Sequence, residues 1–207
     1  MRLFLVRHAQ SASNVGRALD TASPGAALTG LGHAQVARLV SRLAGEHLDA
    51  VAASSLTRAQ QTAQPVAAAR GLAVVTLDGL REIGAGELEM QTSARAIDTY
   101  REVITAWATG ALDLAMPGAS SGHEFLTRFD AAVRTLGEAG VNAVAVSHGA
   151  AIRTWVAARC RNADARAVAA RGLANTGAAV VEGSADGSWQ LSGWLEELVD
   201  DLPATPG

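Results

Sequence analysis

Lysine is absent from this chain, and all 17 of its basic residues are arginine. Cysteine occurs once, at Cys160, which excludes an internal disulfide and any zinc site built on paired thiols, and makes a reducing cytoplasm the expected compartment. Aromatic residues amount to 4% of the sequence, with small residues, above all alanine, in their place. Long apolar runs are missing too. The first, Leu3 to Val6, stops at Arg7, far too short for a signal peptide or a membrane span. A strong charge of either sign is also lacking. The formal net charge is −3, so no global basic field attracts nucleic acid or an anionic membrane, and neither is expected as a partner. Any bound anion has to be held by local arginines.

What is present is enough for one sizeable core. With 207 residues, 49% of them hydrophobic, the chain reads as a single domain over 1–207. Leu3 to Val6 reads as a buried strand that delivers Arg7 and His8 to its C-terminal end, where open α/β sheets place ligands. After a short helix and loop over 10–27, Thr29 caps a helix whose face carries Val36, Leu39, Val40 and Leu43. A strand over 49–53, a cap at Ser54 and Ser55, a helix over 56–70 ended by Gly71, and a strand over 73–77 follow. That alternation predicts a parallel sheet with right-handed crossovers.

The rhythm then breaks. Residues 80–121 carry Gly84, Gly86, a helical patch over 94–109 and Pro117-Gly118, and read as an excursion that covers the site, with Trp107 and Met116 packed inside it. A helix over 124–138 turns Phe125, Phe129, Ala132, Val133 and Leu136 inward. The strand 142–146 runs into Ser147-His148-Gly149, and a helix over 150–159 follows. Two strands, 177–182 and 189–193, joined at 184–187, read as a hairpin. Residues 200–207 read as a frayed tail.

Two histidines more than a hundred positions apart, each at a strand end, suggest one shared site. His8 is the candidate nucleophile, since an imidazole held in one tautomer can attack an electrophile. Arg58 sits in the first turn of its helix, where the macrodipole disfavours a cation by roughly 0.3–1 kcal/mol, a cost that a bound oxyanion between Arg7, Arg58 and helix amides offsets. An arginine reaching sideways to a carboxylate is the plainer reading. Ser11 and Asn14 add short polar donors or cap the short helix. Glu82 stands at the mouth of the excursion as the candidate acid. His148 can donate to an oxyanion across from His8. Neither histidine has zinc-ligand spacing, and His33, His47 and His123 read as solvated.

Arg7-His8-Ala9-Gln10-Ser11 with Asn14, Leu28-Thr29-Gly30-Leu31-Gly32, Ser54-Ser55-Leu56-Thr57-Arg58-Ala59, Glu82 with Gly86, and Ser147-His148-Gly149 resemble, in order, the blocks of the histidine phosphatase superfamily, in its phosphoglycerate-mutase-like branch. The resemblance implies a three-layer α/β/α sandwich with a mostly parallel sheet and a small helical cap insertion over 83–121. It implies that His8 is transiently phosphorylated, that Arg7, Arg58 and His148 surround the phosphoryl group with Ser11, Asn14 and Gly149 lining it, and that Glu82 protonates the leaving oxygen. No metal and no organic cofactor is expected. Ala9 replaces the usual Gly, and Gly86-Glu87-Leu88-Glu89-Met90 lacks the aromatic and the second Gly of the family pattern, so the pocket wall is expected to be reshaped.

Between Ile83 and Pro117 only Arg95 and Arg101 are cationic, against five acidic residues. Such a cap favours hydrolysis of a small phosphorylated metabolite over a mutase reaction. A phospholigand-binding module without catalysis is the remaining alternative. Monomer and homodimer are both compatible with the sequence.

Overall fold

The computed structural model describes residues 1–140, 142–184 and 187–195. The expected frayed tail over 200–207, and Ala185 and Asp186 of the expected hairpin turn, lie outside those residues. Six strands form one sheet: β1 Arg2–Arg7, β2 Ala50–Ala53, β3 Val74–Thr76, β4 Asn142–Ser147, β5 Ala178–Glu182 and β6 Gln190–Leu195, in the order β3-β2-β4-β1-β5-β6. The first four in that order run parallel, and β5 and β6 run antiparallel as the expected hairpin.

Alternation along the strands sorts the core into two layers. Phe4, Val6, Val51, Ala53, Val144 and Val146 face α2 (Gly30–Arg42) and α3 (Thr57–Ala68), while Leu3, Leu5, Ala50, Ala52, Ala143 and Ala145 face the other side. On that other side lie α4 (Ala94–Ala108), α5 (Gly122–Ala139), α6 (Gly149–Arg159) and α7 (Ala165–Ala170), a short helix with no counterpart in the sequence reading. Alanines on this sheet face leave room for Trp107, Phe125, Phe129 and Trp155, whose rings pack in a chain at centroid distances of 5.6–6.1 Å. The result is the expected three-layer α/β/α sandwich.

Within the stretch 83–121, α4 turns Tyr100, Val103, Ile104 and Trp107 into this core and packs against α6 and α7, with Met116 fully buried. The expected cap at Ser54 and Ser55 is a correction. Helix α3 begins at Thr57, its N-cap is Leu56, and no side chain caps it. Ser54 is used elsewhere, as described below. Among the described residues, no helix is long and apolar enough to cross a membrane.

Candidate functional site

Backbone pairing brings the distant motifs together. Arg7 pairs with Ser147 across β1 and β4, and Ala53 pairs with Val146 across β2 and β4. The ladder continues for one more bond at each edge, from the amide of His8 to the carbonyl of Ser147 (3.0 Å) and from the amide of Ser54 to the carbonyl of Val146 (3.0 Å). His8, Ser54 and His148 are therefore neighbours because three parallel strands end in step.

His8 is buried, and its ring lies 5.1 Å from that of His148, centroid to centroid, tilted by 57°. Nδ1 of His8 donates to the carbonyl of Ala9 (2.7 Å), which leaves Nε2 as the nitrogen with a lone pair. That lone pair accepts from Nε of Arg58 at 3.1 Å. The other two nitrogens of Arg58 donate to Asp20, Nη2 to the carbonyl at 2.7 Å and Nη1 to Oδ2 at 3.4 Å. Arg58 thus contacts His8, a partner not foreseen for it, and also reaches a carboxylate, the plainer of the two readings weighed for it. The carboxylate, however, is buried with it rather than on the surface. Asp20 Oδ2 also accepts from the amide of Ala26 (2.8 Å), tying the loop between α1 (Ala12–Gly16) and α2 to the same guanidinium. Gly25 in this loop has φ of 67°, and a β-carbon there would stand 2.5 Å from Arg58 Nη1, so only glycine fits.

His148 is fully buried and contacts Ser54 Oγ through Nε2 at 2.7 Å, while its Nδ1 has no partner. Arg7 donates from Nη1 to the carbonyl of Leu173 (2.6 Å), and its Nε is buried and unpaired. Gly149 permits this packing, since a β-carbon there would sit 3.3 Å from Arg7 Nε. Ser11 Oγ is a third buried, unpaired polar atom. Asn14 accepts at Oδ1 from the amide of Ser11 (3.1 Å) and from Nδ2 of Asn175 (3.1 Å), and Asn175 also donates to the carbonyl of His8 (2.9 Å).

Glu82 lies at the start of α6. Its Oε1 accepts from the amides of Ala151 (2.8 Å) and Ile83 (2.9 Å), and its Oε2 from the amide of Ala150 at 3.2 Å. A carboxylate complements the positive end of that helix. Arg128 on α5 holds the turn that carries it, donating to the carbonyls of Gly79 (2.7 Å), Arg81 (2.9 Å) and Glu82 (2.8 Å). Burial lowers the Arg128 pKa to about 10, against the opposing pull of Glu82.

All five residues expected to carry chemistry therefore gather at one end of the sheet. Sequence reasoning missed Asp20, Ser54, Arg128 and Asn175. Only Ser54 left a signal, since it lies inside a recognised motif. His47 and His123 are exposed as expected, beside Asp49 and Asp113. Among the described residues, no group of three His, Cys, Asp or Glu side chains is arranged to hold a metal ion.

The electrostatics favour uncharged rings and a bound anion. Burial pushes the His8 pKa well below the ordinary imidazole value, and Arg58 and Arg7 push it further. Burial does the same for His148, followed by the charges of His8, Arg58 and Arg7. Neutral His8 offers a lone pair, and Arg7 and His148 beside it offer unpaired polar atoms.

The model for the histidine phosphatase superfamily (branch 1) matches residues 3–197. A curated relative, PE-PGRS family protein PE_PGRS11 of Mycobacterium tuberculosis, is 32% identical over 219 aligned residues, which take in 97% of this chain and 36% of the relative. A mycobacterial glucosyl-3-phosphoglycerate phosphatase in complex with VO3 is similar at a TM-score of 0.78 and 26% identity, covering 94% of this chain and 98% of that one. Phosphoglycerate mutase from Bacillus anthracis is similar in fold at a TM-score of 0.74 and 19% identity, covering 96% and 93%.

Proposed function

The chain belongs to the histidine phosphatase superfamily, and within the phosphatase or mutase chemistry that this membership brings we propose that it is a metal-independent phosphomonoesterase of small phosphorylated metabolites. The observation that carries the reading is the pair of buried, unpaired atoms, Arg7 Nε and His148 Nδ1, in the two residues that lie against His8, whose unprotonated Nε2 is held by Arg58. Orphaned buried polar atoms are costly, at about 1–3 kcal/mol each, and an oxyanion satisfies them together.

The reaction runs in two displacements. His8 Nε2 attacks phosphorus, the bond to the leaving oxygen breaks, and Glu82 protonates that oxygen. Water then attacks phosphorus, Glu82 takes its proton, the P–N bond breaks, and inorganic phosphate departs with His8 neutral again. Arg58 passes its Nε hydrogen bond from His8 to the equatorial oxygens as the phosphoryl group arrives, so its charge meets charge as that develops. Glu82 Oε2, with its single 3.2 Å amide contact, is the oxygen available for the proton.

Hydrolysis is favoured over mutase transfer because the neighbouring cations are spent. Arg128 serves three backbone carbonyls, and Arg153 on α6 serves those of Gly149 (3.1 Å) and Ala169 (2.7 Å). Few of their N–H donors remain to chelate the second phosphate of a bisphosphate. The VO3 complex of the similar mycobacterial phosphatase accords with an oxyanion pocket. A cytoplasmic setting belongs to the same proposal: Cys160 is buried, and burial raises its thiol to about 12.

Incubation with an aryl phosphate, with and without chelator, tests the reading. Equal phosphate release in both, lost in His8→Ala, is the expected result, and chelator-sensitive turnover refutes it. Rapid isomerisation of 3-phosphoglycerate primed with 2,3-bisphosphoglycerate would replace the phosphatase with a mutase. Binding of inorganic phosphate without any turnover would leave only a phospholigand module.

A further inference from the structure

We propose that Ser54 is a positioning residue that locks His148 in the tautomer protonated on Nδ1, so that this imidazole presents a proton to the phosphoryl oxygens. The proposal rests on the phosphoryl-transfer reading of the site and goes beyond it in assigning the proton and the residue that places it.

The argument is one of hydrogen-bond accounting. Ser54 is fully buried, and among the described residues the partner of its hydroxyl is His148 Nε2, at 2.7 Å. Two assignments are open, differing in which atom donates. If Nε2 carried the proton, it would donate to Ser54 Oγ, and the serine proton would be left buried without an acceptor. His148 Nδ1 would then turn a bare lone pair toward incoming phosphoryl oxygens, which carry lone pairs of their own. If Ser54 donates, its hydroxyl is satisfied and the ring proton sits on Nδ1, the buried nitrogen that has no protein partner. A donor without an acceptor at this place is what an oxyanion completes.

The hydroxyl is held for the task. The Ser54 amide donates to Val146 at 3.0 Å and its carbonyl accepts from Gln60 Nε2 at 2.7 Å, so the backbone is fixed between β4 and α3. The two facing imidazoles then use opposite nitrogens. His8 gives its Nδ1 proton to Ala9 and keeps a lone pair on Nε2, whereas His148 receives at Nε2 and keeps a proton on Nδ1. One ring is prepared to attack phosphorus and the other to receive its oxygens. A lone serine decides the second.

Nitrogen-15 correlation spectra of the ligand-free protein labelled at histidine test this directly, with the His148 signals identified by their loss in His148→Gln. The expected result is an unprotonated Nε2 and a protonated Nδ1 in the wild type. Ser54→Thr, which keeps a hydroxyl, is expected to keep that tautomer, and Ser54→Ala to lose it in favour of Nε2–H or a mixture. Turnover of an aryl phosphate and inhibition by vanadate are expected to weaken about tenfold in Ser54→Ala. A wild-type His148 protonated on Nε2, or a Ser54→Ala protein that retains the Nδ1 proton, overturns the proposal. Because the spectra need no turnover, failure here is separable from failure of the phosphatase reading.

Discussion

Arg58 points its Nε at Nε2 of His8 across 3.1 Å, so the cation that would stabilise a phosphoryl group already holds the nitrogen that would attack it. The same guanidinium spends its other two nitrogens on Asp20. Lysine has one ammonium and cannot serve both directions at once. Arg58→Lys is therefore expected to lower kcat/KM for an aryl phosphate by about a hundredfold, within the range seen when one preorganised donor is removed. Wild-type kinetics in that variant would take Arg58 out of the reaction.

Glu82→Gln keeps an acceptor at Oε1 for the amides of Ala151 and Ile83, gives up the Oε2 contact with the amide of Ala150, and removes the transferable proton. Turnover is expected to fall by roughly 10²–10⁴-fold for alkyl phosphates, whose leaving oxygen needs protonation, and far less for a nitrophenyl ester. Steady-state rates over a series of leaving groups check this, and an equal loss across the series would exclude Glu82 as the acid.

Both buried imidazoles have pKa values lowered from the ordinary 6.5, chiefly by burial. Below about pH 6.5 the unfolded chain binds protons that the folded chain refuses, so stability is fully present above that value and declines as the pH falls beneath it. Urea unfolding at pH 7.5 and 5.5 is expected to give a lower midpoint at the acid pH. The acid limb of kcat/KM, corrected for substrate ionisation, is expected well below 6.5. A limb at or above 6.5 would count against at least one ring being held neutral.

Asp20 and Arg58 form an ion pair with side chains almost wholly buried. Removing one partner of such a pair leaves an uncompensated charge and typically costs about 3–5 kcal/mol. Asp20→Ala is expected near the lower figure, since the Asp20 carbonyl still accepts from Arg58. Chemical denaturation measures it, and a change under about 1 kcal/mol would mean that the loop relaxes to solvate the guanidinium.

The residues legible in the sequence were those whose place is set by their own strand or helix. Arg7, His8 and His148 follow apolar runs directly, and Arg58 and Glu82 fall in ordered motifs. What was hidden depends on partners far along the chain. Asp20 sits in a polar loop like any other, and only folding brings it to Arg58. Arg128 looks like a solvent-facing helix residue, because the carbonyls that it serves carry no sequence signature. Ser54 was misread for a physical reason: a serine shortly before a helix is the commonest cap, and nothing local reveals that its hydroxyl turns to a histidine ninety-four positions later. Helix α7 is a six-residue segment, too short for periodicity to mark it.

The pairing of Arg2 with Asn142 has one more consequence. Strand β4 inserts between β1 and β2 only after most of the polypeptide has been made and gathered, so the two imidazoles meet through a contact of very large sequence separation. Secondary structure can form without that contact, whereas the proposed phosphate release cannot begin before it. In a refolding experiment, the return of enzymatic rate thus serves as a clock for topological closure, trailing the recovery of helical circular dichroism.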